Sequence, residues 1–176
     1  MKRFLILFAV VANLVFVDAL VKELAEKRLE KPVEVVRGLF DLAYVQNRGC
    51  AWGMLQGQVW PLAVFGLLAL AFLIWKRKTI FVSQPSQPLN FSTVAEPLLY
   101  AGIVGNLIDR LYRGYVIDMF DFHWGVHHFP CFNVADSLIC IAVGLMLVSS
   151  FFTGPEKGEK KPSPDRLQSR PPTPLS

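Results

Sequence analysis

Four apolar runs punctuate the chain, at residues 4–21, 59–75, 94–112 and 132–152. Each holds roughly 17 to 21 residues, and at about 1.5 Å per residue each predicts a helix able to cross a hydrocarbon core about 30 Å thick. Four transmembrane helices are therefore expected. The first run follows Met1-Lys2-Arg3 and resembles a signal peptide, but Asp18 interrupts its end and no small-x-small cleavage pattern follows. A retained helix is the preferred reading.

The polar intervals differ in character. Residues 21–29 are able to prolong the first helix beyond the membrane, and residues 33–45 alternate enough to predict strands or an interfacial element. Residues 83–92 carry Pro85 and Pro88 among polar residues and read as a flexible connection. From Gly154 the composition shifts to Pro, Lys, Glu and Ser, which predicts a disordered tail over 154–176 after a membrane domain over 1–153.

Composition sharpens this picture. Of 176 residues 53% are hydrophobic and only 18% charged, too apolar a balance for an ordinary soluble domain. The net charge of +4 does not point to nucleic acid, because the basic residues flank apolar runs and form no stripe among aromatics. Lys2 and Arg3, then Lys76, Arg77 and Lys78, then the tail, fall on one side. Positive-inside orientation makes that side cytoplasmic, with both termini there, and exports the loops 22–58 and 113–131. The mixed charges of the first loop (Lys22, Lys27, Arg28 and Lys31 among Glu23, Glu26, Glu30 and Glu34) weaken the rule without reversing it.

A charge inside a bilayer costs about 2.5 to 3.5 kcal/mol on insertion scales, so each one needs a partner, a wet cavity or a function. Asp18, Asn106, Asp109 and Arg110 come late in outward-running helices, and Asn133 and Asp136 early in an inward-running one. These six converge on the outer leaflet. Asp118, just past the third helix, is placed to fold back toward Asp136, so two carboxylates meet at interfacial depth. Asp18 and Lys22 stand i, i+4, and Asp109 precedes Arg110, so ion pairing explains Asp18 and Asp109 as well as function does. Asp118 and Asp136 have no basic residue within helical reach. Two adjacent carboxylates do not both ionise cheaply, which supplies an acid and a base together for the attack of water on a peptide carbonyl. The bland alternative is that Asp136 caps or hydrogen-bonds within the bundle.

Four motifs in order carry a family resemblance: Asp18 through Lys22; Asn47-Arg48-Gly49-Cys50-Ala51-Trp52-Gly53; Gly102 through Asn106, Asp109 and Arg110 to Gly114 and Asp118; and Phe132-Asn133-Val134-Ala135-Asp136-Ser137. The chain resembles the lipoprotein signal peptidases, also called signal peptidase II. The resemblance implies a membrane-embedded aspartyl endopeptidase of the bacterial inner membrane that cuts prolipoproteins before a diacylglyceryl-modified cysteine, at the outer face. It implies Asp118 and Asp136 as the catalytic pair, and Asp18, Lys22, Asn47, Gly49, Asn106, Asp109, Arg110, Asn133 and Ala135 as the residues that shape the site and position substrate. No metal or other cofactor is implied. The expected partners are diacylated prolipoproteins and membrane lipids, and the expected form is a monomer. Ala19, Trp52, Cys50 and Met119 depart from residues common in the family, a matter for fine substrate preference.

Rival readings carry their own signatures. A proton relay would need polar residues through the midplane, whereas only Glu96 lies toward the cytoplasmic end. A membrane scaffold would keep its topology without Asp118 and Asp136. Cys50 and Cys131 both fall in exported loops, which leaves a bridge between them open, and Cys140 is expected to pack within its helix. His123 and His127 stand i, i+4, but the intervening Trp124-Gly125-Val126 argues against a helical zinc site. With Trp52, Trp60, Trp75 and Trp124 they suit anchoring at headgroups.

Overall fold

The computed structural model describes residues 1–81 and 91–152. Of the connection expected at 83–92, residues 83–90 lie outside the described residues while Phe91 and Ser92 already belong to a helix, and the tail expected at 154–176 lies outside as well. Among the described residues five helices and four strands follow in the order α1 (Lys2–Arg28), β1 (Val33–Val36), β2 (Phe40–Asn47), α2 (Val59–Trp75), α3 (Arg77–Ile80), α4 (Phe91–Tyr112), β3 (Val116–Trp124), β4 (His127–His128) and α5 (Val134–Phe152), with a 3₁₀ turn at Ala51–Gly53.

Among the described residues three helices, α1, α4 and α5, are long and apolar enough to cross a membrane. The second expected span, α2, is apolar along its 17 residues but falls short of that length. At about 1.5 Å per residue it reaches roughly 26 Å. The first helix runs on to Arg28, past the apolar run, because residues 22–28 are good helix formers and Ala25 packs against Ile117 and Met119 of β3. The fourth helix starts at Val134, two residues later than the apolar pattern predicts. Phe132 is held instead by a bridge to Phe120, and stacks on Phe122 with ring centroids 5.9 Å apart.

The loop expected at 113–131 is largely strand. β3 pairs antiparallel with β2, and the sheet order is β1-β2-β3-β4. Runs such as Val116-Ile117 and Phe120 are β-formers whose partner lies about 70 residues away in β2, so no local periodicity announces the pairing. The sheet matters for function because its register sets Val45 opposite Asp118 and Asn47 opposite Val116.

Close helix packing places the remaining elements. A Cβ on Gly102 would lie 2.5 Å from the Ala135 carbonyl oxygen, and one on Gly105 2.6 Å from Asp18 Oδ2. These two glycines let α4 touch α5 and α1 backbone to side chain, with Ala101, Ala135 and Ala142 fully buried alongside. At the other end, Phe81, Ala95, Leu99, Tyr100 and Ala142 form an apolar core, and Arg77 is ion-paired with the buried Glu96. Trp52, Trp60, Trp75 and Trp124 are all exposed.

Candidate active site

Asn133 organises the start of α5. Its Oδ1 accepts from Asp136 N at 2.9 Å, while Asp136 Oδ2 accepts from Asn133 N at 3.3 Å, a reciprocal capping box over the first turn. The capping role weighed for Asp136 is thus real. It does not use up the carboxylate, whose Oδ1 accepts from Asn106 Nδ2 at 2.7 Å.

Asp118, on β3, is buried to 2% exposure and accepts from Asn133 Nδ2 at 2.7 Å and from Asn47 Nδ2 at 2.9 Å. One asparagine therefore bridges both acids. Burial, and next the charge of Asp136, push the Asp118 carboxyl up to about 6, against the pull of the Asn47 and Asn133 donors. Both acids line one cavity of about 510 Å³, with Asn106, Arg110 and Ser137 beside them.

Beneath them lies a buried charge cluster. Lys22 Nζ sits 2.8 Å from Asp18 Oδ2, 2.9 Å from Asp109 Oδ2 and 3.1 Å from Asn106 Oδ1. The expected i, i+4 pair of Asp18 and Lys22 is present. The Asp18 carboxylate also reaches the first turn of α5, where its Oδ1 accepts from the Ala135 N–H at 2.8 Å. The suggested pairing of Asp109 with Arg110 is not made, because consecutive helix residues face different ways. Asp109 instead meets Lys22, Arg113 at 3.3 Å and the Ile117 N–H at 3.3 Å, which fixes the start of β3. Arg110 donates to the carbonyls of Asn106 and, at 3.2 Å, Gly49. That Gly49 peptide is held in turn, its N–H on Asn47 Oδ1 at 2.9 Å, and a side chain at position 49 would collide with the Met54 carbonyl.

All eleven residues singled out in the sequence thus belong to one connected cluster. The sequence reading missed Arg113, which reaches Glu23 at 3.2 Å and Glu26 at 2.5 Å on the extension of α1. Its i, i+4 spacing from Asp109 was the available signal. Also missed is a roof: Trp52, held at a left-handed φ of 62°, lies edge-on to Phe129 with centroids 5.8 Å apart. Both rings line the lower cavity and a second one of about 470 Å³ on the sheet side, and Asp118 borders both. Cys50 and Cys131 face these cavities as free thiols, burial lifting that of Cys131 to about 12. Cys140, expected in packing, is exposed on α5 and borders the lower cavity. Among the histidines it is His123 and His128 that stack, 5.0 Å apart, through β3–β4 pairing.

A pair of carboxylates on the wall of one cavity, inside a bundle whose described residues include three helices of membrane-spanning length, is an arrangement able to carry out acid–base hydrolysis in a membrane protein. Comparison with known proteins gives the family. Residues 10–152 match the family model described as "Signal peptidase (SPase) II". The "Lipoprotein signal peptidase" of Syntrophotalea carbinolica is 37% identical over 159 residues, covering 88% of this chain and 96% of that one. That of Clostridium acetobutylicum is 34% identical over 145 residues, covering 81% and 90%. A solved structure titled "Bacterial membrane enzyme structure by the in meso method at 2.3 A resolution" superposes with a TM-score of 0.71 at 29% identity, over 88% of this chain and 93% of that one. The chain belongs to the signal peptidase II family of membrane proteases.

Proposed function

We propose that this protease removes the signal peptide of prolipoproteins, cutting before the diacylglyceryl-modified cysteine with water activated between Asp118 and Asp136. The observation that carries the reading is the bridge through Asn133, which holds both carboxylates on the wall of one cavity. Asp118, the more buried acid, holds its proton to a higher pH than an ordinary aspartate, and its protonated form is the acid of the pair. Asp136 takes a proton from the attacking water, Asp118 polarises the scissile carbonyl, and its proton then passes to the leaving nitrogen.

The supporting residues keep this geometry. Asn47, Asn106 and Asn133 are neutral donors that orient the carboxylates without quenching the negative charge the base needs. Lys22, Asp18, Asp109 and Ala135 lock α1, α4 and α5 together below. Arg110, with donors to spare beyond its two carbonyl contacts, is placed to hold a substrate carbonyl. The membrane domain covers 1–153. In our reading α2 is the fourth span, reaching across by the help of its flanking Trp60, Trp75 and Lys76. Both termini face the cytoplasm, and the sheet and cavities lie at the outer face of the inner membrane. Lipid acyl chains on the substrate hold the scissile bond at that depth, which replaces a search in solution with a positioned encounter. The enzyme works as a monomer.

Purified protein with a diacylated model prolipoprotein tests this. Cleavage before the lipidated cysteine is expected, with loss of at least about a thousandfold in folded Asp118→Asn and Asp136→Asn. Undiminished cleavage by both variants would overturn the dyad.

A further inference from the structure

The two cavities differ in chemistry and share Asp118. The lower one is walled by Val116, Phe132, Ile139 and Ile141, two turns into a helix of spanning length. The upper one opens on the sheet side and is lined by Gln46, Asn47, Gln56, Asp118, Asp121 and His128 among its polar residues. A signal peptide is an apolar segment and belongs with the lower cavity, so the chain beyond the cut leaves through the upper one. The upper cavity has two carboxylates on its wall and no lysine or arginine among its lining residues.

Asp121 is fixed there. Its Oδ1 and Oδ2 lie 2.9 and 3.1 Å from His128 Nδ1, its side chain is 20% exposed, and Asp41 stands opposite it across the β2–β3 pair. Like charges directly opposite each other on neighbouring strands are unfavourable, so this pairing keeps a negative field at the exit without stabilising the sheet. Asp41 has its own imidazole, His123 Nε2 at 3.4 Å. Asp121 takes no part in the acid–base chemistry of Asp118 and Asp136.

We propose that Asp121, braced by His128, is a specificity-determining residue that selects against acidic side chains, and for basic ones, in the first residues after the lipidated cysteine. The inference rests on the proposed function. A charge on the substrate entering a cavity walled by Asp118 and Asp121 meets attraction or repulsion that solvent only partly screens. The selection acts on the peptide that leaves, not on the bond that breaks, so it falls on KM more than on kcat.

The test uses three diacylated model prolipoproteins that differ only in Lys, Ser or Glu two positions after the cysteine. They are assayed in detergent at pH about 8, where an ordinary imidazole is neutral. The wild-type enzyme is expected to favour Lys over Glu by about tenfold in kcat/KM, a ratio that shrinks as salt rises from about 0.05 to 0.5 M. The ratio collapses to about twofold or less in Asp121→Asn and returns in Asp121→Glu, while circular dichroism verifies folding of each variant. Equal cleavage of the Lys and Glu substrates by wild type overturns the inference and leaves the proposed function intact. So does an unchanged ratio in folded Asp121→Asn. Failure of wild type to cut any of the three overturns the proposed function and the inference with it.

Discussion

Replacing Asp118 by Asn should abolish activity and, at the same time, make the protein more stable at neutral pH. The carboxyl is buried and its pKa rises from the ordinary 3.8 to about 6, first through burial and then through the Asp136 charge. At about 1.4 kcal/mol per tenfold change in proton affinity, the ionised group is on the order of 3 kcal/mol less favourable in the fold than in the unfolded chain at pH 7. The amide keeps the volume but turns an NH₂ toward one of the two asparagine donors, at a cost of about 1–2 kcal/mol. The balance is a gain on the order of 1–2 kcal/mol, or roughly 2–8 °C in Tm for a chain of this size. The sign with pH follows from the direction of the shift. Because the folded state binds this proton more tightly, the wild type gains stability as pH falls through about 6, and the gain is complete below the unfolded value near 3.8. Thermal unfolding of both proteins in one detergent at pH 8, 6 and 4 is the assay. The gap should be widest at pH 8 and close or reverse by pH 4. A variant that is less stable at pH 8, or a gap that does not change with pH, would refute the claim that burial strains this carboxylate.

Three further outcomes follow from the same network. Lys22→Met leaves Asp18 and Asp109 facing each other without their cation, and should destabilise by about 3–5 kcal/mol, read as lost folded protein in size-exclusion and thermal melts. Gly105→Ala puts a methyl group 2.6 Å from Asp18 Oδ2 and 3.3 Å from Ala135 Cβ, and should cost about 1–3 kcal/mol with a parallel fall in activity. Asn133→Ala removes a donor that favours ionised Asp118. The pH–rate profile should therefore move to higher pH, and its helix cap is lost at about 1 kcal/mol.

Much of this was legible in the sequence because membranes impose strict lengths and penalise every unpaired polar group. The apolar runs located the helices, and the depth of Asp18, Asn106, Asp109, Arg110, Asn133 and Asp136 along them predicted that they converge. What depended on distant pairing was not legible. The strand at Val116–Trp124 takes its conformation from β2, and the Lys22–Asp109 contact joins α1 to α4, so neither has a local periodicity. The pairing of Asp109 with Arg110 failed for a geometric reason, since adjacency along a helix separates side chains by about 100°. The left-handed Trp52 and its contact with Phe129 were invisible because an ordinary residue at positive φ leaves no composition signal.

The central claim is that Asp118 and Asp136 face one cavity closely enough for the charge of Asp136 to raise the proton affinity of Asp118. Carbon-13 NMR of enzyme labelled in aspartate carboxyl groups, titrated in detergent with Asp136→Asn as the comparison, addresses it directly. Asp118 should titrate near 6 in the wild type, and in the variant its pKa should fall, while burial keeps it above 3.8. An Asp118 signal that titrates at the same pH in both proteins would contradict the account.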